Sequence, residues 1–239
     1  LVDTTLYTHA GPEIAVASTK AYTCQVTLLA ILALYISEKL NIKELENEIK
    51  TTKQDILNLP KLVEDQLKNI DYIKDISNNL YKNHDIYFIG RGQDYAAALE
   101  GSLKLKEISY IHSEAYASGE LKHGPIALIE DNTLVLGIAT NSATAPKTMS
   151  NLEEVIARGA DTIFITNQNS KTDELSENKS ITKSDIDKVH YLIEVPEINT
   201  FLSPISTIIP MQLFAYYIAK AKKLDVDKPR NLAKSITVE

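Results

Sequence analysis

The stretch Asp85-Ile86-Tyr87-Phe88-Ile89-Gly90-Arg91-Gly92 decides the fold class. Ile86 to Ile89 are apolar, β-branched or aromatic, as a strand buried on both faces requires, and two glycines then turn the chain. From about Tyr95 to Ser109 a helix follows. The same alternation continues downstream. Thr133 to Ile138 reads as a strand, Lys147 to Arg158 as a helix, and Thr162 to Ile165 as a strand. Tyr191 to Val195 reads as a further strand, and Ile205 to Lys222 as a strongly apolar helix. Short apolar strands alternating with amphipathic helices predict an α/β protein, a three-layer sandwich whose parallel β-sheet is flanked by helices. The polar residues between Asn167 and Lys188 lack apolar periodicity and read as an exposed loop.

Upstream, Thr4 to Thr8 has strand character and Gly11-Pro12 interrupts it. A helix is expected next, capped by Ser18 or Thr19 and running to Lys39. Between Val26 and Ile36 it is apolar on nearly every face, so it is expected to be buried on several sides, with cover from beyond these residues. Those 11 residues fall short of the roughly 20 that a bilayer-spanning helix needs. Asn41 to Leu59 has helical spacing, Pro60 is expected to break it, and Leu62, Gln66, Ile70, Ile73 and Leu80 define a second stripe.

Composition narrows the function. With 25 basic against 32 acidic residues the net charge is −7, which argues against binding to nucleic acid or anionic membranes. The single cysteine, Cys24, permits no internal disulfide and suits a reducing compartment, here the cytoplasm.

Several groups could carry chemistry. Gly90-Arg91-Gly92 could turn backbone amides toward an anion, but it lacks the third glycine of the dinucleotide fingerprint and no P-loop lysine follows. Glu100, Lys104 and Glu107 are spaced by four and three and share a helix face near Ala96 and Leu103. Desolvated there, a carboxylate could transfer protons; solvated, the three would be ordinary helical ion pairs. Spacing alone does not separate the two readings. The segment Ile108 to Tyr116 leads into Gly119-Glu120-Leu121-Lys122-His123-Gly124-Pro125, a loop dense in ionisable groups. His123 is the better candidate for proton shuttling, against the alternative of a surface histidine, while His112 reads as an ordinary partly buried ring. His9, His84 and His190 have no paired ligand in view, so no metal site is expected. Lys234 lies on a tail without core-forming period; folded back over a pocket, its amine could attack a carbonyl.

Four segments together carry a resemblance. Ala10-Gly11-Pro12-Glu13-Ile14-Ala15-Val16-Ala17-Ser18-Thr19-Lys20-Ala21, then Glu100 through His112, Gly119 through Pro125, and Asp225 through Glu239 resemble the glucosamine-6-phosphate synthase family. What they resemble is the C-terminal isomerase region, built from two sugar-isomerase (SIS) domains. The resemblance implies a transferase, glutamine:fructose-6-phosphate aminotransferase (isomerizing). Such an enzyme needs no cofactor and turns fructose 6-phosphate and glutamine-derived ammonia into glucosamine 6-phosphate.

It further implies that Glu107 moves a proton between sugar carbons 1 and 2, assisted by Lys104, and that His123 assists ring opening at the partner's site of a homodimer. Lys234 would form the Schiff base beside Ala233, and Val16 and Ser18 would line the sugar. Residues 1–41 would be the end of a first SIS domain, 42–223 a second, and 224–239 a tail completing the active site. Two features of the family are missing from these 239 residues: the serine- and threonine-rich phosphate loops, and the glutaminase domain with its N-terminal cysteine, a role Cys24 cannot fill. Little synthase activity is therefore expected of this chain by itself. The alternatives are a stand-alone SIS isomerase or deglycase, and a non-catalytic module that senses sugar phosphates.

Overall fold

The structure, a computed structural model, describes residues 2–68, 70–167 and 181–234. Ile86, Phe88, Leu134, Leu136 and Ile163 are at most 1% exposed, because the strands that carry them are covered on both sides. β1 (Asp85–Gly90), β2 (His112–Ala117), β3 (Leu134–Ala139), β4 (Asp161–Thr166) and β5 (Tyr191–Glu194) form one parallel sheet in the order β2-β1-β3-β4-β5. On one face, Ile86 and Phe88 pack with α3 (Ile70–Leu80), α4 (Gln93–Ser109) and α7 (Ser203–Ala221). On the other, Tyr87, Ile89 and Phe164 pack with α5 (Ala145–Ile156). The expected three-layer α/β sandwich is therefore the observed one. Strand order reverses between β1 and β3, the place where such sheets open a crevice at their carboxyl ends.

Gly90 closes β1 for a steric reason. A β-carbon there would lie 2.6 Å from the Asp94 carbonyl carbon, so the first turn of α4 can back onto the strand only at glycine. Asp94 is itself buried and accepts hydrogen bonds from the Thr140 amide (2.9 Å) and hydroxyl (2.5 Å). Asp94 thereby ties the first turn of α4 to the residue after β3.

Several expectations are corrected. Thr4 to Thr8 is not a strand: the segment is largely exposed and no sheet edge lies beside it to supply hydrogen bonds. Pro60 does not break its helix but lies inside α2 (Glu46–Lys68). A proline inside a helix costs about 3 kcal/mol, and packing on both sides of it offsets this. Leu59 is buried with Ala30, Leu202 and Ile205, Val63 joins the main core, and Gln66 donates to the Ser206 hydroxyl at 2.9 Å. The segment Ile108 to Tyr116 is not a loop, since it contains β2. The loop expected before β5 ends in α6 (Lys183–Ile186), where Thr182 and Asp185 form a reciprocal cap, and Ile181 is buried; residues 168–180 lie outside the described residues.

The helix expected from Ser18 to Lys39 is α1 (Lys20–Lys39), but neither hydroxyl caps it. Nor is it buried on several sides. Ala30 is its one fully buried residue, and Leu29, Ile31, Tyr35 and Ile36 are exposed; among the described residues α1 packs chiefly on α2, the Thr200–Leu202 turn and α7. By length and composition, α1 and the Thr200–Ala221 segment are apolar enough to cross a membrane, a test that core helices also pass; the second is mostly buried in the fold.

Candidate active site

The helical spacing that puts Glu100, Lys104 and Glu107 on one face of α4 also puts them in contact. Lys104 Nζ lies 2.7 Å from Glu107 Oε2 and 3.4 Å from Glu100 Oε1. The lysine side chain is only 6% exposed, and the carboxylates 21% and 17%, so these are not the solvated ion pairs of an open helix. Glu107 Oε2 is buried and meets Lys104 by charge rather than by an aligned hydrogen bond; it has no other partner. One lysine between two desolvated carboxylates leaves a net negative charge, an arrangement suited to a proton carrier.

The shield over this face is not the expected one. Ala96 and Leu103 are themselves exposed. Tyr22, from the first turn of α1, packs against the main core instead. Burial, and then the nearby Glu100 charge, push its phenol up to about 12, so it stays a neutral donor. Tyr22 was not singled out from sequence, because nothing in the local pattern shows that α1 meets α4.

The tail does fold back. Val16 N–H donates to the Asp227 carbonyl at 2.9 Å, and Arg230 N–H donates to the Tyr110 hydroxyl at 2.8 Å. The Arg230 guanidinium also lies 4.2 Å over the Tyr110 ring. Tyr110 terminates α4 in the left-handed conformation, with φ of 60°, three residues beyond Glu107. Beyond these ties, Lys234 Nζ donates to the carbonyl of Ala15 at 2.8 Å and to that of Val16 at 3.4 Å. Ala233 is exposed, and Val16 and Ser18 are half-buried on the loop the tail crosses.

Glu13 lies under that amine. Its side chain is 10% exposed, with Oε2 3.6 Å from Lys234 Nζ, while Oε1 accepts the Thr19 amide at 2.6 Å. Burial acts to raise its pKa, but the Thr19 amide, the Lys234 charge, the Ser18 hydroxyl and the Ala21 amide outweigh it and hold the carboxyl below its usual range. Glu13 is a second residue that the sequence reading passed over, although it stands inside a quoted segment.

His123 is not brought to this cluster. It ends the turn Glu120–His123, exposed, and no hydrogen bond or ion pair joins it to Glu107, Lys104 or Lys234. The turn is seated by Leu121, 2% exposed, and by Gly119, where a β-carbon would lie 2.9 Å from Arg91 Nη2. His112, expected to be partly buried, is exposed, with Nδ1 2.7 Å from Asp85. No group of three or more His, Cys, Asp or Glu side chains among the described residues is placed to hold a metal ion.

Comparison with known proteins adds to the geometry. Residues 79–221 match the SIS domain family model. The chain is 51% identical over 234 residues to glutamine–fructose-6-phosphate aminotransferase [isomerizing] of Clostridium perfringens, covering 98% of this chain and 37% of that protein. Against the enzyme of the same name from Thermococcus kodakarensis it is 44% identical over 239 residues, again covering 37% of the relative. The chain therefore spans just over a third of the length of these curated relatives. The C-terminal domain of glucosamine-fructose-6-phosphate aminotransferase from Francisella tularensis superposes with a TM-score of 0.79 at 39% identity, over 91% of this chain and 58% of that one.

Proposed function

The chain belongs to the SIS domain family, and from that membership we propose that it carries out the sugar-isomerising part of a glutamine:fructose-6-phosphate aminotransferase, making glucosamine 6-phosphate. The observation that carries this reading is the return of Lys234 Nζ to the carbonyls of Ala15 and Val16, on the loop that leads into α1, whose Tyr22 feels the Glu100 charge.

The chemistry follows from the groups present. His123, reaching the site of the partner subunit in a homodimer, assists opening of the sugar ring. Lys234 attacks the C2 carbonyl of the open ketose, and ammonia then displaces the lysine from the resulting imine. An imine acidifies the adjacent C1–H, so one base can carry that proton from C1 to C2, leaving a 2-amino aldose. Glu107, partly exposed beside Lys104, is the base for this work, and Lys104 is the group that assists it. Val16, Ser18 and Ala233 line the sugar, and the reaction needs no cofactor.

In this reading residues 1–41 end a first SIS domain, 42–223 form a second and 224–239 are the active-site tail. A glutaminase domain elsewhere in the full-length protein supplies ammonia, and the enzyme works in the cytoplasm. The phosphate is held by loops outside these 239 residues, so the chain by itself turns over little substrate.

Borohydride reduction in the presence of fructose 6-phosphate tests the reading on the full-length protein. Labelling at Lys234 supports it, and labelling that survives Lys234→Ala would assign the imine to another amine. Conversion of fructose 6-phosphate by the 239 residues alone, with added ammonium, would overturn the dependence on outside loops.

A further inference from the structure

Glu13 has no part in the scheme above, yet among the described residues it is the carboxylate paired with the tail amine: 3.6 Å from Lys234 Nζ, with its side chain 10% exposed. We propose that Glu13 is the charge partner of Lys234, taking the ammonium proton when the amine attacks the sugar carbonyl and returning it to the departing oxygen. The inference rests on the imine chemistry of the preceding section and adds a residue to it.

The proton balance makes one carboxylate sufficient. The resting amine is an ammonium, held by the carbonyls of Ala15 and Val16 and by Glu13. Loss of one N–H proton to Glu13 frees the nitrogen lone pair, the C–N bond forms at C2, and a second N–H proton passes from that nitrogen to the carbonyl oxygen, which becomes a hydroxyl. The Glu13 proton then goes to that hydroxyl, the C–O bond breaks, water leaves, and the nitrogen is again cationic as an iminium. Ammonium and iminium carry the same charge, so the Glu13 carboxylate faces one positive charge before and after the step. No proton is taken from solvent overall. Its own fixation supports the role. Oε1 is tied to the Thr19 amide at 2.6 Å, Oε2 lies 3.6 Å from Nζ, and the residue sits on the same loop as the two carbonyls that hold Nζ.

The alternative is a structural role, in which Glu13 merely ties down the entrance to α1. Glu13→Gln separates the two, because the amide oxygen can still accept from Thr19 N–H while the charge is lost. In the full-length protein, two measurements are made: borohydride-trapped adduct at Lys234 with fructose 6-phosphate, and affinity for a hexitol 6-phosphate, which has no carbonyl. The expected result is about a tenfold loss of adduct, the low end of what a proton-transferring group contributes, with affinity for the alditol unchanged within about twofold, and partial recovery of adduct in Glu13→Asp. Wild-type trapping in Glu13→Gln, or an equal loss of alditol affinity, overturns the proposal while leaving the imine reading intact. Absence of adduct at Lys234 in the wild type overturns both.

Discussion

Tyr110 holds Arg230 twice, accepting its backbone N–H at 2.8 Å and presenting its ring face 4.2 Å from the guanidinium. Tyr110 is also the residue that ends α4 just after Glu107, so the helix bearing Glu107 and the tail bearing Lys234 share one anchor. Tyr110→Phe keeps the ring and removes the acceptor. A hydrogen bond of about 1 kcal/mol corresponds to roughly a fivefold change in the population of undocked tail. Faster tryptic cleavage after Arg230 in Tyr110→Phe, by about that factor, is the expected outcome; an unchanged rate would show the stacked guanidinium to be anchor enough.

Glu107→Gln keeps the size of the side chain and removes the base. Transfer of deuterium from C1 to C2, followed by NMR in the full-length enzyme, should fall by about 10²- to 10⁴-fold. Imine trapping at Lys234 and glutamine hydrolysis should persist, since neither uses this carboxylate. Continued C1-to-C2 transfer would remove Glu107 from the base role.

Lys104→Met leaves two desolvated carboxylates facing each other without their cation. Removing one partner of a buried pair costs about 3 kcal/mol, which in a protein of this size lowers the melting temperature by roughly 6–12 °C. Adding Glu100→Gln and Glu107→Gln to Lys104→Met should recover most of the loss, because the uncompensated charge disappears. Calorimetry on the single and triple variants checks both halves.

Asp94 sets a pH dependence of opposite sign to that of most carboxylates. Burial pushes its pKa above the ordinary carboxyl value of 3.8, against hydrogen bonds from the Thr140 side chain and the amides of Thr140 and Asn141. An acid whose pKa is raised by folding contributes its stability below the unfolded value and loses it as pH rises through the folded value. Asp94→Asn, which does not ionise, should therefore gain on the wild type as pH climbs above 3.8. Melting curves from acid to neutral pH should show that trend, and a constant gap would mean that the hydrogen bonds to Thr140 dominate throughout.

The sheet was largely legible in the sequence because β1, β3 and β4 are covered on both faces, so each is an unbroken apolar run. β2 was not, since it is an edge strand. His112 and Glu114 face water, Ser113 turns inward to bond the Ser102 carbonyl at 2.8 Å, and no apolar run remains to be seen. Pro60 misled because local propensity was outweighed by contacts from α7 and α1. At the site, spacing within one helix disclosed Glu100, Lys104 and Glu107, whereas Tyr22, which packs on the core close enough to feel the Glu100 charge, comes from far away in the chain. Glu13 carried no local signal at all: its meaning depends on a lysine at the opposite end of the sequence.

Lys234 and Ala15 are 219 positions apart. Closing so long a loop yields few contacts for the entropy lost, so this junction is expected to form after the sheet and its helices have assembled. A molecule with its core complete and its tail loose would have ordinary secondary structure, melt cooperatively and yet lack the reacting nitrogen. On the proposed imine chemistry a folding signal would overcount competent molecules, and titrating the trappable amine would be the sounder measure of how many sites are ready.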